Sequence, residues 1–140
     1  TMKISTRGRY ALRFMIDLAI HSQNQYIALK DISARQEISV KYLEQIASLL
    51  SKHGLLMSIR GQQGGYKLSR PPVKYSVGEI LRLTEGPLAP VACLENPDIP
   101  CERLGVCKTL PFWKGLYKVI EEYVDKFTLE DLVNQEPLAE

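Results

Sequence analysis

Histidine, cysteine and tryptophan are scarce in this chain of 140 residues, with two, three and one of each. Only two histidines occur, His21 and His53, and they do not stand at the spacing of a metal-binding pair. No nucleophile–base pairing and no phosphate-binding loop leading into a helix can be found, which speaks against an enzyme. No apolar run approaches the roughly eighteen residues that a membrane helix requires. The N-terminus also lacks the charged, apolar, small order of an export signal, so a cytoplasmic protein without membrane contact is expected. Thr1 ahead of Met2 reads as a remnant. Three cysteines are an odd number, ill suited to a closed disulfide framework, and point to an intracellular thiol or metal role. Internal repeats and low-complexity tracts are absent.

Net charge is also small, at +2, but it is unevenly placed. Residues 1–75 hold 12 Lys and Arg against 4 Asp and Glu, whereas residues 76–140 hold 6 against 12. A half of charge +8 joined to a half of −6 suggests that the first meets a polyanion and the second does something else. The hydrophobic fraction of 45% suffices for one packed core.

Helical periodicity begins after Ser5, where Tyr10, Ala11, Phe14, Met15, Leu18 and Ala19 form a stripe. Arg7, Arg9 and Arg13 lie near its start. A short helix fits Leu29 to Gln36, with Ile32 and Ala34 expected inside. After a tight turn at Ile38, Ser39 is a good N-cap for a third helix, with Leu43, Ile46, Ala47 and Leu50 inward. Gly54 falls where a helix ends in the left-handed conformation. Strands are expected over Leu55 to Arg60 and Tyr66 to Ser69, joined by the glycine-rich stretch from Gly61 to Gly65. Val77 to Thr84 makes another helix. Residues 85–109 carry four prolines and all three cysteines, so no long element fits there. A long amphipathic helix follows from Leu110 through Trp113, Leu116 or Tyr117, Ile120, Val124 and Phe127. Thr128 to Asp131 resembles a capping box that opens a last short helix.

Three helices and a hairpin in this order describe a helix-turn-helix with a wing, a mostly α fold with a small β-hairpin. A helix fits the major groove of duplex DNA, and the outer stripe Lys41, Gln45, Ser48 and Lys52 offers polar and cationic groups to it. Tyr42 and Ser39, at the helix start, suit a phosphate. Arg60 at the wing base suits the minor groove, and Gly61 lets backbone approach closely. Glu44 is the exception, because phosphates repel a carboxylate. It fits only as an acceptor from a cytosine amine or as a device against wrong sites. Tyr66 is expected in the core.

Several stretches together carry a resemblance. They are Met2-Lys3-Ile4-Ser5-Thr6-Arg7-Gly8-Arg9-Tyr10-Ala11, Ile38-Ser39-Val40-Lys41-Tyr42-Leu43-Glu44-Gln45, and Ser58-Ile59-Arg60-Gly61-Gln62-Gln63-Gly64-Gly65-Tyr66. With Val77-Gly78-Glu79-Ile80 and Thr128-Leu129-Glu130-Asp131-Leu132 they cover nearly the whole chain. The sequence thereby resembles the Rrf2 family of bacterial transcription regulators, in particular its cysteine-containing, IscR-like branch. The resemblance implies a homodimeric winged-helix protein on double-stranded DNA operators, with the long C-terminal helix crossing its mate. It implies a reading unit over 2–84, a sensor loop over 85–109 and a dimerisation segment over 110–136. It assigns DNA contacts to Ser39, Tyr42, Glu44, Gln45, Arg60 and Gly61, with Glu44 tuning which operators are tolerated.

Cys93, Cys101 and Cys107 have the spacing C-x7-C-x5-C. Thiolates are soft ligands for iron–sulfur clusters or zinc. IscR-like members hold a two-iron two-sulfur cluster on three such cysteines spaced C-x5-C-x5-C, with a histidine three residues past the last. Here the first interval is longer, and Leu110 stands in the histidine position. The fourth ligand is open, with Glu102, Thr109 or a residue of the dimer mate as the alternatives. The resemblance implies a repressor that senses cluster status and controls cluster-assembly genes. Zinc, a thiol switch, inert cysteines and a cluster-free, partner-controlled regulator of the CymR kind remain the other readings.

Overall fold

The computed structural model describes residues 3–99 and 101–135. The expected segment limits at Met2 and Glu136 lie outside the described residues, as does Pro100 of the cysteine loop. Among the described residues there are six α-helices and one antiparallel hairpin, the winged-helix arrangement expected from the sequence.

Helix α1 (Thr6–His21) starts at Ser5, whose side chain accepts a hydrogen bond from the Gly8 amide. Its expected stripe is its inner face: Ala11, Phe14, Met15 and Leu18 are fully buried, and Tyr10 and Ala19 pack beside them. In α2 (Leu29–Gln36) Ile32 is buried but Ala34 is exposed, contrary to expectation. Two positions on, a helix has turned by about 200°, so the two cannot share a face. Glu37 adopts the left-handed conformation (φ 56°) and ends α2, which lets Ile38 drop into the core. Helix α3 (Val40–Lys52) is capped by the Ser39 hydroxyl, 3.1 Å from the Tyr42 amide, and buries Leu43, Ile46, Ala47 and Leu50. Gly54 follows at φ 79°, where a side chain would be strained.

Strand β1 (Leu56–Ile59) pairs with β2 (Gly65–Leu68), Leu56 opposite Leu68 and Ile59 opposite Gly65. The ladder omits Leu55, Arg60 and Ser69, which the sequence placed in the strands, and adds Gly65. Ile27, ahead of α2, exchanges backbone hydrogen bonds of 2.8 and 2.9 Å with Tyr66 and so extends the sheet. Only glycine fits beside it, because a Cβ on Gly65 would lie 2.1 Å from the Ile27 carbonyl oxygen. The buried Tyr75 hydroxyl accepts from the Ser69 and Arg70 amides at 2.9 and 3.1 Å and donates to the Leu55 carbonyl at 2.7 Å. One side chain thus ties the outgoing end of the hairpin to its beginning.

Helix α4 (Val77–Glu85) packs across α1, and α5 (Leu110–Lys126) packs on α4. The α4–α5 crossing is close at Gly78, where a Cβ would lie 2.1 Å from Asp125 Oδ1. There Arg82 forks onto Asp125 at 2.7 and 3.0 Å. Helix α6 (Leu129–Val133) has the expected capping box, formed by Thr128 and Asp131. It returns to α1, with Leu129 fully buried in the core and its amide bonded to the Tyr75 carbonyl at 2.9 Å. No described helix is long and apolar enough to cross a membrane.

Candidate nucleic-acid interface

The orientation of α3 is set from behind. Its inner face joins the core, and the Tyr42 ring meets Tyr10 of α1 edge-on, with centroids 5.5 Å apart. Arg13 of α1 donates to the Gln36 side chain and carbonyl, and its guanidinium lies 5.1 Å from the Tyr10 ring centroid. These contacts leave Ser39, Lys41, Glu44, Gln45 and Ser48 exposed on the outer side of α3, with Tyr42 half-buried. Arg60 and Gly61 are exposed at the wing, where a tight turn bonds the Gly64 amide to the Gly61 carbonyl at 3.0 Å. Tyr66, expected in the core, packs against its edge with its ring near Phe14.

Two open clefts border this face. One lies between α3 and the wing and is lined by Ser48, Ser51, Lys52, Ser58, Arg60 and Gly61 among others. The other joins α3 to the start of α1 through Arg7, Lys41, Glu44, Gln45 and Ser48. Ser48 borders both, so recognition helix and wing form one continuous surface. The expected contact residues, Lys52 included, therefore all lie on the recognition helix, its cap or the wing. Arg7, Ser51 and Ser58 line the same clefts from positions that no sequence pattern groups with them, since helix periodicity does not say which neighbour a surface residue faces.

The cysteine loop leaves α4 and enters α5. Among its described residues it contains one short 3-10 turn, Ala92–Leu94, which includes Cys93. Two further turns, closed by Leu104 N to Cys101 O and Cys107 N to Arg103 O, carry the chain from Cys101 to Cys107. All three thiols are free and partly exposed. Cys107 Sγ lies 3.3 Å from Thr109 Oγ1. The hydrogen bond from that hydroxyl, aided by backbone amides and by the charge of Arg103, brings the thiol below its ordinary pKa. Among the described residues no three His, Cys, Asp or Glu side chains are gathered closely enough to hold a metal. The donors thus suit a cluster in chemistry, three soft sulfurs in one irregular loop, while they stand apart in space and number one fewer than two irons require. Leu110, in the place of a ligand histidine, is buried at the head of α5. Glu102 is exposed.

Helix α5 also carries an apolar face that the expected stripe did not include. Phe112, Val119 and Tyr123 are 65, 61 and 62% exposed. Ile99, Leu104 and Val106 of the loop are exposed as well.

The chain matches the family model Rrf2, described as an iron-dependent transcriptional regulator, over residues 4–135. It is 40% identical to the Rrf2 protein of Nitratidesulfovibrio vulgaris over 139 residues, covering 99% of this chain and 91% of that protein. It is 36% identical to the HTH-type transcriptional regulator IscR of Yersinia pseudotuberculosis, covering 99% of this chain and 84% of the relative. The solved structure of CymR, the global cysteine regulator of B. subtilis, superposes with a TM-score of 0.76 at 40% identity, covering 94% of this chain and 95% of that one. An outward recognition helix and wing on this fold, together with these likenesses, identify the chain as a member of the Rrf2 family of DNA-binding transcriptional regulators, not an enzyme.

Proposed function

We propose that this chain is a homodimeric repressor that binds pseudo-palindromic operators and senses iron–sulfur cluster status through Cys93, Cys101 and Cys107. One observation carries the reading: three free thiols share a single loop placed between α4 and α5, the helix with an exposed apolar face. In this reading residues 2–84 read DNA, 85–109 sense and 110–136 dimerise. Ser39, Lys41, Tyr42, Glu44, Gln45 and Ser48 meet the major groove and its phosphates, and Arg60 and Gly61 meet the minor groove. The three cysteines supply three ligands of a two-iron two-sulfur cluster, and Thr109, Glu102 or a group of the mate supplies the fourth. When bound, such a cluster provides an oxidisable centre whose loss frees the thiols.

The chain's own part is mechanical. Ordering residues 93–107 next to α5 biases how two copies of α3 are spaced, and the spacing must match half-sites about one helical turn apart. Cluster-assembly genes are the proposed targets, and work on the chromosome places the protein in the cytoplasm. Anaerobic purification tests the cluster. Coloured protein with iron and sulfide in equal amounts, bleached by Cys101→Ala, supports it, and colourless zinc-loaded protein rejects it.

A second reading is a cluster-free regulator controlled by thiol oxidation or by a partner protein. The separated thiols and the likeness to CymR favour it. Colourless, metal-free protein whose operator binding responds to a thiol oxidant would decide for this reading.

A further inference from the structure

We infer that Arg7 is a contact to the DNA backbone, so that the operator-facing surface of each protomer runs on from the recognition helix to the first turn of α1. The inference rests on the operator-binding reading above. Arg7 is exposed, and it shares an open cleft with Lys41, Glu44, Gln45 and Ser48 of α3. The first turn of α1 holds no acidic residue. A cation there is opposed by the helix dipole, so Arg7 gains nothing from its own helix. Its charge reaches Glu85, but that carboxylate is already bonded by the Ser5 amide and hydroxyl. No described side chain forms a salt bridge with Arg7.

Glu44 is the carboxylate of the cleft, and it stands with two cations, Arg7 and Lys41. An anion that enters there meets two positive charges against one negative. A major groove laid on the outer side of α3 is bordered by phosphates, and those are the anions within reach of a residue beside the helix and not on it. The planar guanidinium fork matches phosphate oxygens. Glu44 can then face base edges while Arg7 answers the adjacent backbone.

The probe is a fluorescein-labelled duplex of about 30 base pairs, selected from a random pool by the wild-type chain, followed by anisotropy over a salt series. Arg7→Gln should lower the log–log salt slope by about 0.9 per phosphate lost, near 2 for a dimer. It should leave preference among single-base variants of the duplex unchanged. Arg7→Lys should keep the slope and serves as the folding control together with an unchanged melting curve. An unchanged slope in Arg7→Gln overturns the inference. So does a shifted base preference at constant slope, which would make Arg7 a partner of Glu44. Wild-type protein with no salt dependence would instead remove the operator reading itself, while equally steep slopes in both proteins remove only Arg7.

Discussion

Arg35 of α2 forks onto the buried Asp17 carboxylate of α1, with Nη2 2.7 Å from Oδ1 and Nε 3.0 Å from Oδ2. Gln36 adds a third bond to Oδ2 at 3.0 Å. The side chain of Asp17 is 0% exposed and that of Arg35 34%, so the pair is unequal. The carboxylate has left water entirely, and the guanidinium keeps an edge in it. Helix α2 is the first half of the helix-turn-helix, so this contact sets the platform from which α3 projects.

Removing the two partners should therefore have different consequences. Arg35→Met leaves a buried carboxylate with only an amide for company and should cost about 3 kcal/mol. Asp17→Asn leaves Arg35 free to turn toward water and should cost less, about 1–2 kcal/mol. Urea unfolding of both variants checks the order, and equal losses would count against the asymmetry.

That pair was illegible in the sequence, where Asp17 sits within a helical stripe as one acidic residue among apolar ones. Periodicity identifies an inner face but not which distant side chain satisfies a charge on it. Ala34 shows the opposite case: apolar character alone pairs it with Ile32, but helical geometry turns it to the outside. Ser39, the Thr128–Asp131 capping box and Gly54 were legible because each is specified by its immediate neighbours. The outer side of α3 could be read as well, because it is what remains once Leu43, Ile46, Ala47 and Leu50 turn inward. The apolar face of α5 could not, because Phe112, Val119 and Tyr123 mingle with the residues facing α4 on a helix that is apolar on two sides.

The Ser5–Glu85 contact should make stability depend on acid. Burial raises the pKa of the Glu85 carboxyl, but bonds from the Ser5 hydroxyl (2.6 Å) and amide, helped by Thr84 and Arg7, outweigh it and hold the group below its ordinary value. A pKa lowered by folding contributes stability that is present above the unfolded value, about 4.3, and is lost as pH falls through the folded one. Glu85→Gln should thus be less stable than wild type at pH 7, with the gap closing below about pH 4. Urea midpoints across this range measure it, and a gap constant with pH would show that the charge is not involved.

Tyr75→Phe isolates the hydroxyl that closes the wing. The ring volume stays, but the Ser69 and Arg70 amides and the Leu55 carbonyl lose a buried partner. A loss of about 1–3 kcal/mol is expected. Hydrogen exchange should accelerate first at Ser69 and Arg70; uniform acceleration across the chain would mean that the hydroxyl supports the whole core and not the hairpin ends.

The +8 half and the exposed cations of α3 and the wing should make operator affinity fall steeply with salt, with a log–log slope of roughly 5–10 for a dimer. Arg60→Ala should cost about 1–3 kcal/mol of binding if Arg60 enters a groove. Anisotropy titrations at several salt concentrations test both, and binding that ignores salt would leave the charge asymmetry without a role.

The outer face of α5 yields the last prediction. Phe112, Val119 and Tyr123 recur at helical spacing, and each exposes more than half its surface. Away from it, Leu110 on the far side is buried, and Ile120 and Val124, about 100° round the helix, are partly covered, so this second face is not required by the fold of one chain. A second copy of the same helix would cover it with matching apolar surface, which is the arrangement a two-fold dimer needs. Val119→Glu places a charge in the middle of that face while pointing to water in the isolated chain. It should therefore yield folded monomer by analytical ultracentrifugation, with a melting curve that no longer depends on protein concentration. A monomer meets one half-site, so its salt slope should fall to about half that of the dimer. A variant that remains dimeric would place the interface elsewhere and leave the apolar face of α5 to another partner.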